Sequence, residues 1–416
     1  MSIIAKQSGI IEKGPGYDSG IADLKKNLNS KTITAGFIAS VFGCTGPALV
    51  TINASTAAGY TTEQTVSWLF GIYVFGGLIS LIMALYYKMP IVGAFSIPGA
   101  SMLATSLVGY SFSEAGGAFI MAGIIVLLLG ITGLMGKVMK FLPLPIVMGM
   151  IAGVMLRFGT NIVNSTMSLP IVCGAALFGY LLVPKISKKF SPILAALILG
   201  VIALFATGGF SVEAFELKYI PPQIVIPSFN AASILSVSVP LAALVVGAEN
   251  AQAIGVLYAQ GYKPPVNAMT AISGIGGIFS GLVGAHNANI AGPMTAICSS
   301  SEAGEDKNGR YAAAFANGCF FITFGLFASF AIAFIKVIPS ALINLLAGLA
   351  MIGVLVGSFK DAFGFGNFKT GAFTALIVGA SGITVFNIGA AFWALLFGVI
   401  ISLISEKKDF DEEPAN

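Results

Sequence analysis

Long apolar runs, separated by short polar or glycine-rich stretches, constrain this chain more than any other feature of its sequence. Hydrophobic residues make up 56% of the 416 residues and charged residues only 9%, whereas soluble domains carry roughly 25% charged residues. Lipid selects against charge and accepts apolar side chains on every face of a helix. The pattern therefore predicts a polytopic membrane protein and excludes an ordinary soluble domain.

Fourteen of these runs are candidate membrane segments, because a crossing needs roughly 20 apolar residues, or fewer where part of it is a broken element buried in protein. We therefore expect an all-α membrane protein with fourteen segments. The first seven are residues 33–58, 66–87, 90–108, 116–135, 142–158, 169–183 and 192–206. The second seven are residues 237–258, 266–282, 284–300, 312–335, 340–356, 371–383 and 388–403.

The distribution of Lys and Arg predicts the orientation of these segments. With the amino terminus inside, most basic residues between segments fall on the cytoplasmic side, as the positive-inside rule requires. Arg157, Lys218 and Lys336 are the exceptions. An even number of segments returns the tail to the same side, so both termini are expected in the cytoplasm of a bacterium whose inner membrane holds the chain. The basic residues form no continuous stripe, so no nucleic-acid partner is expected.

A faint internal duplication relates the two halves at a separation of roughly 200 residues. The motif Gly-Gly-Leu-Ile-Ser at 76–80 recurs as Gly-Gly-Ile-Phe-Ser at 276–280, although chance matches are an alternative in Gly- and Ala-rich sequence. An odd number of segments per copy would make the two repeats inverted. The expected organisation is a cytoplasmic N-terminal segment (1–32), a first repeat (33–207), an external linker (208–230), a second repeat (231–405) and a cytoplasmic tail (406–416).

Segments 3 and 10 are interrupted by glycine and proline, so they are poor continuous helices. Proline suits the first turn of a helix, and each segment is predicted to be a short extended stretch followed by a half-helix that starts near Pro98 or Pro293. The exposed N–H groups of two such helix starts carry partial positive charge and suit a carboxylate or another anion. A proline kink repaired by neighbouring helices is the alternative.

Two ionisable residues are candidates for proton coupling. Glu249 lies about halfway through segment 8, where removal from water penalises the charged form and favours reversible proton binding. His286, the sole histidine, begins the extended part of segment 10 and belongs to a residue type that titrates near neutral pH. For both residues, a purely structural hydrogen-bonding role is the alternative.

Further polar residues are candidates for the solute cavity. Thr45 lies in Gly43–Pro47, a predicted irregularity of the first segment, and Asn287 and Asn289 follow the histidine. Kink repair and support of irregular backbone are the alternatives for these residues. Arg157 is interpreted as snorkelling to the interface rather than binding an anion.

Four motifs give the sequence a family resemblance over nearly the whole chain. They are Gly46-Pro47, Phe95-Ser96-Ile97-Pro98-Gly99, Gly247-Ala248-Glu249-Asn250 and the string from His286 to Pro293. At these residues the chain resembles the benzoate/proton symporter (BenE-type) family, within the larger group of nucleobase/cation symporters and sulfate carriers. The resemblance implies two inverted seven-segment repeats, a core domain from segments 1–4 and 8–11, and a gate domain from segments 5–7 and 12–14.

The same resemblance implies proton-coupled import of benzoate or a related aromatic carboxylate by alternating access. The acid that this group carries in segment 8 falls on Glu249, while the segment-10 acid of nucleobase carriers has no counterpart here. Proton coupling is expected from Glu249 and His286. Substrate contacts are expected from Thr45, Phe95, Ser96, Pro98, Gly99, Glu249, Asn250, Asn287, Asn289, Gly292 and Pro293.

Other functions are left open by the residues. A carrier of a nucleobase or another small anion, or an uncoupled anion channel, could use the same helix starts. A membrane enzyme is disfavoured because no nucleophile-base pair is visible, and four cysteines without metal-like spacing predict neither a metal nor a cofactor. The expected partners are the aromatic carboxylate, a proton and the bilayer, and a homodimer is an open alternative to a monomer.

Overall fold

The computed structural model describes residues 10–134, 143–186, 192–208, 218–336, 338–364, 366–385 and 388–412. Parts of the predicted N-terminal segment (1–9), linker (209–217) and tail (413–416) lie outside this range, as do Lys137, Lys140, Lys188 and Lys189. In the first half the elements are α1 (Tyr17–Asn27), α2 (Ser30–Cys44), α3 (Gly46–Ala57), α4 (Thr62–Tyr87), β1 (Gly93–Phe95), α5 (Ile97–Ser106), α6 (Phe112–Thr132), α7 (Leu144–Ser168), α8 (Pro170–Ile186) and α9 (Pro192–Ala206).

The second half begins with α10, a long helix made of successive pieces. These are Ala231–Ser233, Ile234–Ser238, Val239–Leu244, Val245–Asn250 and Ala251–Ala259, of which the second and fourth are π-helical. The elements that follow are α11 (Val266–Gly281), β2 (Ala288–Ile290), α12 (Gly292–Ser299), α13 (Tyr311–Leu326), α14 (Ala328–Lys336), α15 (Ser340–Phe363), α16 (Lys369–Ser381), β3 (Thr384–Val385), β4 (Ile388–Gly389), α17 (Ala390–Ser405) and α18 (Lys407–Glu412).

Apolar helices long enough to cross a bilayer confirm the expectation of a polytopic membrane protein. Within the described residues, six helical stretches meet this requirement by length and composition: Ser30–Ala57, Thr62–Tyr87, Phe112–Thr132, Leu144–Ser168, Ala231–Tyr258 and Ser340–Phe363. Shorter apolar helices cover Pro170–Val183, Pro192–Ala206 and Ala390–Ser405.

Helix boundaries follow local sequence signals. The helices α2, α4 and α6 each begin with a capping box, in which the N-cap side chain and the side chain three residues later satisfy each other's backbone N–H groups. The N-cap residues are Asn29, Thr61 and Ser111. The first crossing breaks at Thr45, between α2 and α3, where the sequence predicts an irregularity.

The helices pack in two groups. In one, α6 lies along α11, and α13 contacts both α4 and α2. In the other, α7 packs on α15 and α16, α8 on α9, and α16 on α17. Small residues allow close approach of backbones: a side chain at Gly123 of α6 would collide with the backbone of Gly274 and Ile278 in α11.

A two-stranded antiparallel sheet joins the two interrupted segments. Gly93 pairs with Ile290, Ala94 with Asn289 and Phe95 with Ala288. Each strand leads directly into a short helix, α5 or α12, whose proline occupies the first turn. A strand followed by a short helix therefore stands in each place where the glycine and proline pattern predicts one.

The repeated Gly-Gly-x-x-Ser motifs support this sheet from either side. Ser80 in α4 exchanges hydrogen bonds with the backbone of Gly93 at 2.8 and 3.0 Å, and Ser280 in α11 accepts the N–H of Ala288 at 3.2 Å. A side chain at Gly76 would meet the backbone of Ala94, and one at Gly276 would meet that of Ala288. The two motifs thus make equivalent contacts with the two strands.

Candidate functional site

The side chain of Glu249 lies between the starts of the two short helices. Its carboxylate Oε1 accepts the N–H of Ile97, the first residue of α5, at 3.2 Å, and it also hydrogen-bonds the N–H of Gly292, the first residue of α12, and the Ser96 hydroxyl. Only 4% of Glu249 is exposed. One carboxylate therefore occupies the positive ends of both helices, the place where an anion is most stabilised.

The backbone of α10 directs this carboxylate. Glu249 lies in the π-helical piece Val245–Asn250, and such bulges are frequent at functional sites because they displace side chains from the ordinary helical register. The neighbouring Asn250 is fully buried, and its Oδ1 accepts the Ser273 hydroxyl of α11 at 3.0 Å. Ser273 in turn accepts the N–H of Ile290 in β2 at 3.0 Å, so this helix is tied to the sheet.

His286 connects α4 with the residue that precedes α5. The indole N–H of Trp68 in α4 donates to Nδ1 at 2.7 Å, and Nε2 lies 3.0 Å from the carbonyl oxygen of Ser96. A neutral ring with its proton on Nε2 satisfies both contacts, whereas a second proton on Nδ1 would face the Trp68 donor. The geometry suits a neutral histidine that holds Ser96, and with it the start of α5, in position.

A cavity of about 450 Å³ extends from this carboxylate to the helices α7 and α15. Its volume lies within the roughly 300–1,000 Å³ of small-molecule sites. Glu249, Gln252 and Asp361 are among its polar lining residues. The remaining lining residues are Phe42, Ile97, Pro98, Leu144, Met148, Ile151, Gly247, Ala248, Ala251, Pro293, Gly353, Gly357 and Ser358.

The residues predicted from sequence do not all meet at this cavity. Glu249, Pro98 and Pro293 line it, and Ser96, Gly99 and Gly292 form the helix starts behind it, with the Ser96 hydroxyl accepting the N–H of Gly99 at 3.0 Å. Thr45 lines a separate cavity of about 170 Å³, and its hydroxyl donates to the carbonyl of Val41 at 2.8 Å.

Phe95 lies in the protein interior rather than at the cavity. The ring is fully buried and packs edge-to-face on Tyr73, at a centroid distance of 5.2 Å, and on His286 at 5.6 Å. The apolar wall of the cavity is formed instead by side chains such as Phe42, Met148 and Ile151.

The two asparagines of segment 10, of which Asn289 belongs to β2, are also fully buried. Asn289 donates to the carbonyl of Ile290 at 2.9 Å and leaves its Oδ1 without a partner. Neither polar side-chain atom of Asn287 has a hydrogen-bond partner, and this side chain lies close to Gly277 of α11. Neither asparagine is among the residues that line the cavity.

Two polar contacts join the helix groups away from the cavity. A guanidinium nitrogen of Arg157 in α7 lies 3.4 Å from the carbonyl oxygen of Ser101 in α5. The Asn53 amide in α3 donates to Oδ1 of Asn344 in α15 at 2.5 Å. Arg157 therefore reaches the core of the molecule rather than only its surface.

Sequence reasoning missed the α15 side of the site and the partner of the histidine. Gly353, Gly357 and Asp361 recur every four residues, a spacing that places them on one helix face and that could have marked them. No local signal connects Trp68 with His286, which is 218 positions away. Among the described residues, no group of three or more His, Cys, Asp or Glu side chains is placed to hold a metal ion.

Comparison with known proteins decides the family. The sequence profile of the benzoate membrane transport protein family, BenE, matches residues 26–404. The chain belongs to this family. Inner membrane protein YdcO of Escherichia coli (strain K12) is 33% identical over 383 residues, covering 91% of this chain and 98% of YdcO. The benzoate membrane transport protein of Acinetobacter baylyi (strain ATCC 33305 / BD413 / ADP1) is 29% identical over 384 residues, covering 92% of this chain and 96% of the relative.

A solved structure shares the fold of this BenE family member. The transmembrane domain of a cyanobacterium bicarbonate transporter, BicA, superposes with a TM-score of 0.60 at 18% identity, covering 92% of this chain and 97% of that domain. The resemblance found in the motifs is confirmed, and so is the expectation of a multi-spanning membrane transporter rather than an enzyme.

Proposed function

We propose that this BenE family member imports benzoate or a related aromatic carboxylate together with a proton. The observation that carries the proposal is the position of Glu249, whose carboxylate occupies the starts of α5 and α12 at one end of the cavity. A substrate carboxylate would be stabilised by the same N–H groups. Two anions at one site repel each other, so substrate and ionised Glu249 compete.

Competition of this kind couples the two ligands. A proton that neutralises Glu249 removes the resident negative charge from the helix starts and leaves them for the substrate anion. Each ligand then favours the binding of the other, and the coupling is reciprocal. Substrate anion and proton together move no net charge across the membrane, so the pH gradient drives import.

The rest of the cavity suits an aromatic ring. Phe42, Leu144, Met148 and Ile151 supply an apolar wall, and burial of apolar surface stabilises a ring by roughly 25 cal/mol per Å². In this arrangement Phe95 supports the site through its contact with His286 and does not touch the ring. His286 acts as a positioning residue, because both of its ring nitrogens already have partners.

Alternating access completes the proposal. The group that contains α4, α6, α11 and α13 serves as the core domain, and the group that contains α7, α15 and α16 serves as the gate domain, within fourteen segments arranged as two inverted repeats. The matching contacts of Ser80 and Ser280 with the sheet support the repeat. In this proposal both termini lie in the cytoplasm, and the contacts of Arg157 with Ser101 and of Asn53 with Asn344 would close the opposite side.

The test is uptake of radiolabelled benzoate by proteoliposomes with an imposed pH gradient, comparing wild type with Glu249→Gln. The wild type should accumulate benzoate, and the variant should lose accumulation by about 10- to 100-fold, the range of typical coupling free energies. Because glutamine removes the competing charge, the variant should keep benzoate binding at neutral pH, measured by thermal shift.

Glu305→Gln is the matched control, because the Glu305 side chain is 94% exposed and only 3.8 Å from Lys31 in a surface ion pair. Its uptake should equal that of the wild type. Gradient-driven accumulation by Glu249→Gln at the wild-type level would exclude Glu249 from the coupling. A wild type that does not take up benzoate would exclude the substrate.

A further inference from the structure

The gate helix α15 presents three residues to the cavity along one face. Gly353, Gly357 and Asp361 all line it, and their spacing of four residues places them in one row. At a rise of about 1.5 Å per residue the row is about 12 Å long, which is longer than one benzene ring. Glu249 and this row line the same cavity, so a ring bound beside Glu249 would share that space with the row.

The two glycines are not required by helix packing. A Cβ atom added at Gly353 or at Gly357 would meet no atom within 4 Å. In the same helix, a Cβ at Gly348 would collide with the Phe158 backbone of α7, so that glycine is needed for close approach. Glycine inside a helix is unfavourable compared with alanine, and at the two cavity positions the only thing it provides is free volume.

Asp361 is equally unfavourable for the helix that carries it. It lies in the last turn of α15, where a negative charge opposes the helix dipole. Its side chain is half-buried, and in the described part of the chain no cation or hydrogen-bond donor contacts its carboxylate. The cavity thus has the positive starts of α5 and α12 at one end and a carboxylate without a partner in its α15 wall.

We propose that this row, Gly353–Gly357–Asp361, selects the ring substituent of the substrate; the inference rests on the proposed function. The glycines provide room for a substituent on the ring, and Asp361 accepts a hydrogen bond from a hydroxyl group there, since an ionised carboxylate is a strong acceptor. Asp361 also repels the substrate carboxylate and so directs it toward α5 and α12. The favoured substrates are hydroxylated aromatic carboxylates.

Competition against labelled benzoate uptake tests this selection in proteoliposomes of the full-length protein. In the wild type, 4-hydroxybenzoate should compete about tenfold better than 4-methylbenzoate, because hydrogen bonds to charged groups are the stronger class. Asp361→Ala should reduce this ratio to roughly one, because the hydroxyl loses its acceptor; the ratio is measured at whatever benzoate uptake the variant retains.

Valine substitutions test the glycines. In Gly357→Val, both 4-substituted acids should compete about tenfold less well, relative to unlabelled benzoate as the competitor. The added side chain fills the space for the substituent. Gly174→Ala in α8 is the control for a glycine substitution as such, because a Cβ there also meets no atom within 4 Å and Gly174 does not line the cavity. It should leave all ratios unchanged.

The outcomes separate this inference from the proposed function. If the wild type takes up benzoate but the 4-hydroxy preference is absent, or survives in Asp361→Ala, the selection by this row is refuted while benzoate transport stands. If the wild type takes up no benzoate, both fail. Should Gly357→Val not fold, as judged by size-exclusion chromatography, Gly357→Ala and Gly353→Ala provide the same comparison with a smaller expected change.

Discussion

Glu249 and Glu406 place the same chemical group at the start of a helix in two different settings. Glu406, which follows α17, accepts the N–H groups of Thr370 and Gly371 in α16 at 2.6 and 2.9 Å and the Ser402 hydroxyl at 2.9 Å. Glu249 accepts N–H groups from two helices and a serine hydroxyl. Glu406 is half-buried at the end of the bundle, whereas Glu249 is nearly fully buried beside a cavity.

The contrast shows how one electrostatic arrangement serves two purposes. At the end of the bundle a carboxylate on a helix start stabilises a junction, and water can replace it at moderate cost. Inside the bundle the same arrangement leaves two helix starts dependent on one ionisable group, which lines a cavity. Proximity to a cavity, rather than the helix cap itself, is what gives Glu249 a proposed part in transport.

The largest expected effect comes from removing each carboxylate in turn. Glu249→Ala leaves two buried helix starts without their acceptor and should lower the free energy of unfolding by about 1–3 kcal/mol, against about 1 kcal/mol for Glu406→Ala. Added benzoate should raise the thermal unfolding midpoint of Glu249→Ala more than that of Glu406→Ala, because the substrate carboxylate takes the vacated place. If benzoate raised the thermal unfolding midpoint of both variants equally, the proposed functional difference between the two sites would be refuted.

A smaller effect is expected in the acid range. Burial alone would raise the pKa of Glu406, but the hydrogen bonds from Thr370, Gly371 and Ser402 outweigh it and hold the pKa below the usual value. The stabilisation is therefore complete above the unfolded carboxyl pKa of about 4.3 and is lost as pH falls through the lowered folded pKa. The thermal unfolding midpoints of wild type and Glu406→Gln should differ by a constant amount above about pH 5 and should converge at lower pH. A difference between the two midpoints that grows as the pH falls would contradict the stabilising role of the Glu406 carboxylate.

The smallest effect is expected at a third carboxylate of this type. Glu12 accepts the N–H groups of Asn267 and Ala268, both at 3.0 Å, at the start of α11. Glu12→Gln should cost about 0.3–1 kcal/mol and should leave benzoate uptake unchanged. Hydrogen exchange at the first turn of α11 should become faster in the variant. Reduced uptake would show that the N-terminal segment has a part in transport although Glu12 does not line the cavity.

Local sequence signals were sufficient for the elements that local chemistry determines. Pro98 and Pro293 mark the first turns of α5 and α12, because a proline tolerates that position and disrupts a helix interior. The break at Thr45 and the burial of Glu249 follow from composition in the same way. The family follows from short motifs that the profile over residues 26–404 confirms.

The rest depends on contacts between distant parts of the chain. A three-residue strand is too short for its sequence to show which face is buried, so the sequence predicts Phe95 at the ligand although its ring lies in the interior. The bond between Trp68 and His286 and the cavity wall from α15 join residues far apart in sequence. Helix pairing of this kind leaves no periodic trace in a single sequence.

The pairing of β1 with β2 has a mechanical consequence. Since Gly93, Ala94 and Phe95 pair in register with Ile290, Asn289 and Ala288 in one sheet, we expect the two short helices to move together and to keep the spacing of their starts around Glu249. In the proposed alternating-access mechanism, the change of access would then take place by sliding of the surrounding helices past this unit. The sheet and its two short helices would move as one rigid unit, and the surrounding helices would move relative to it.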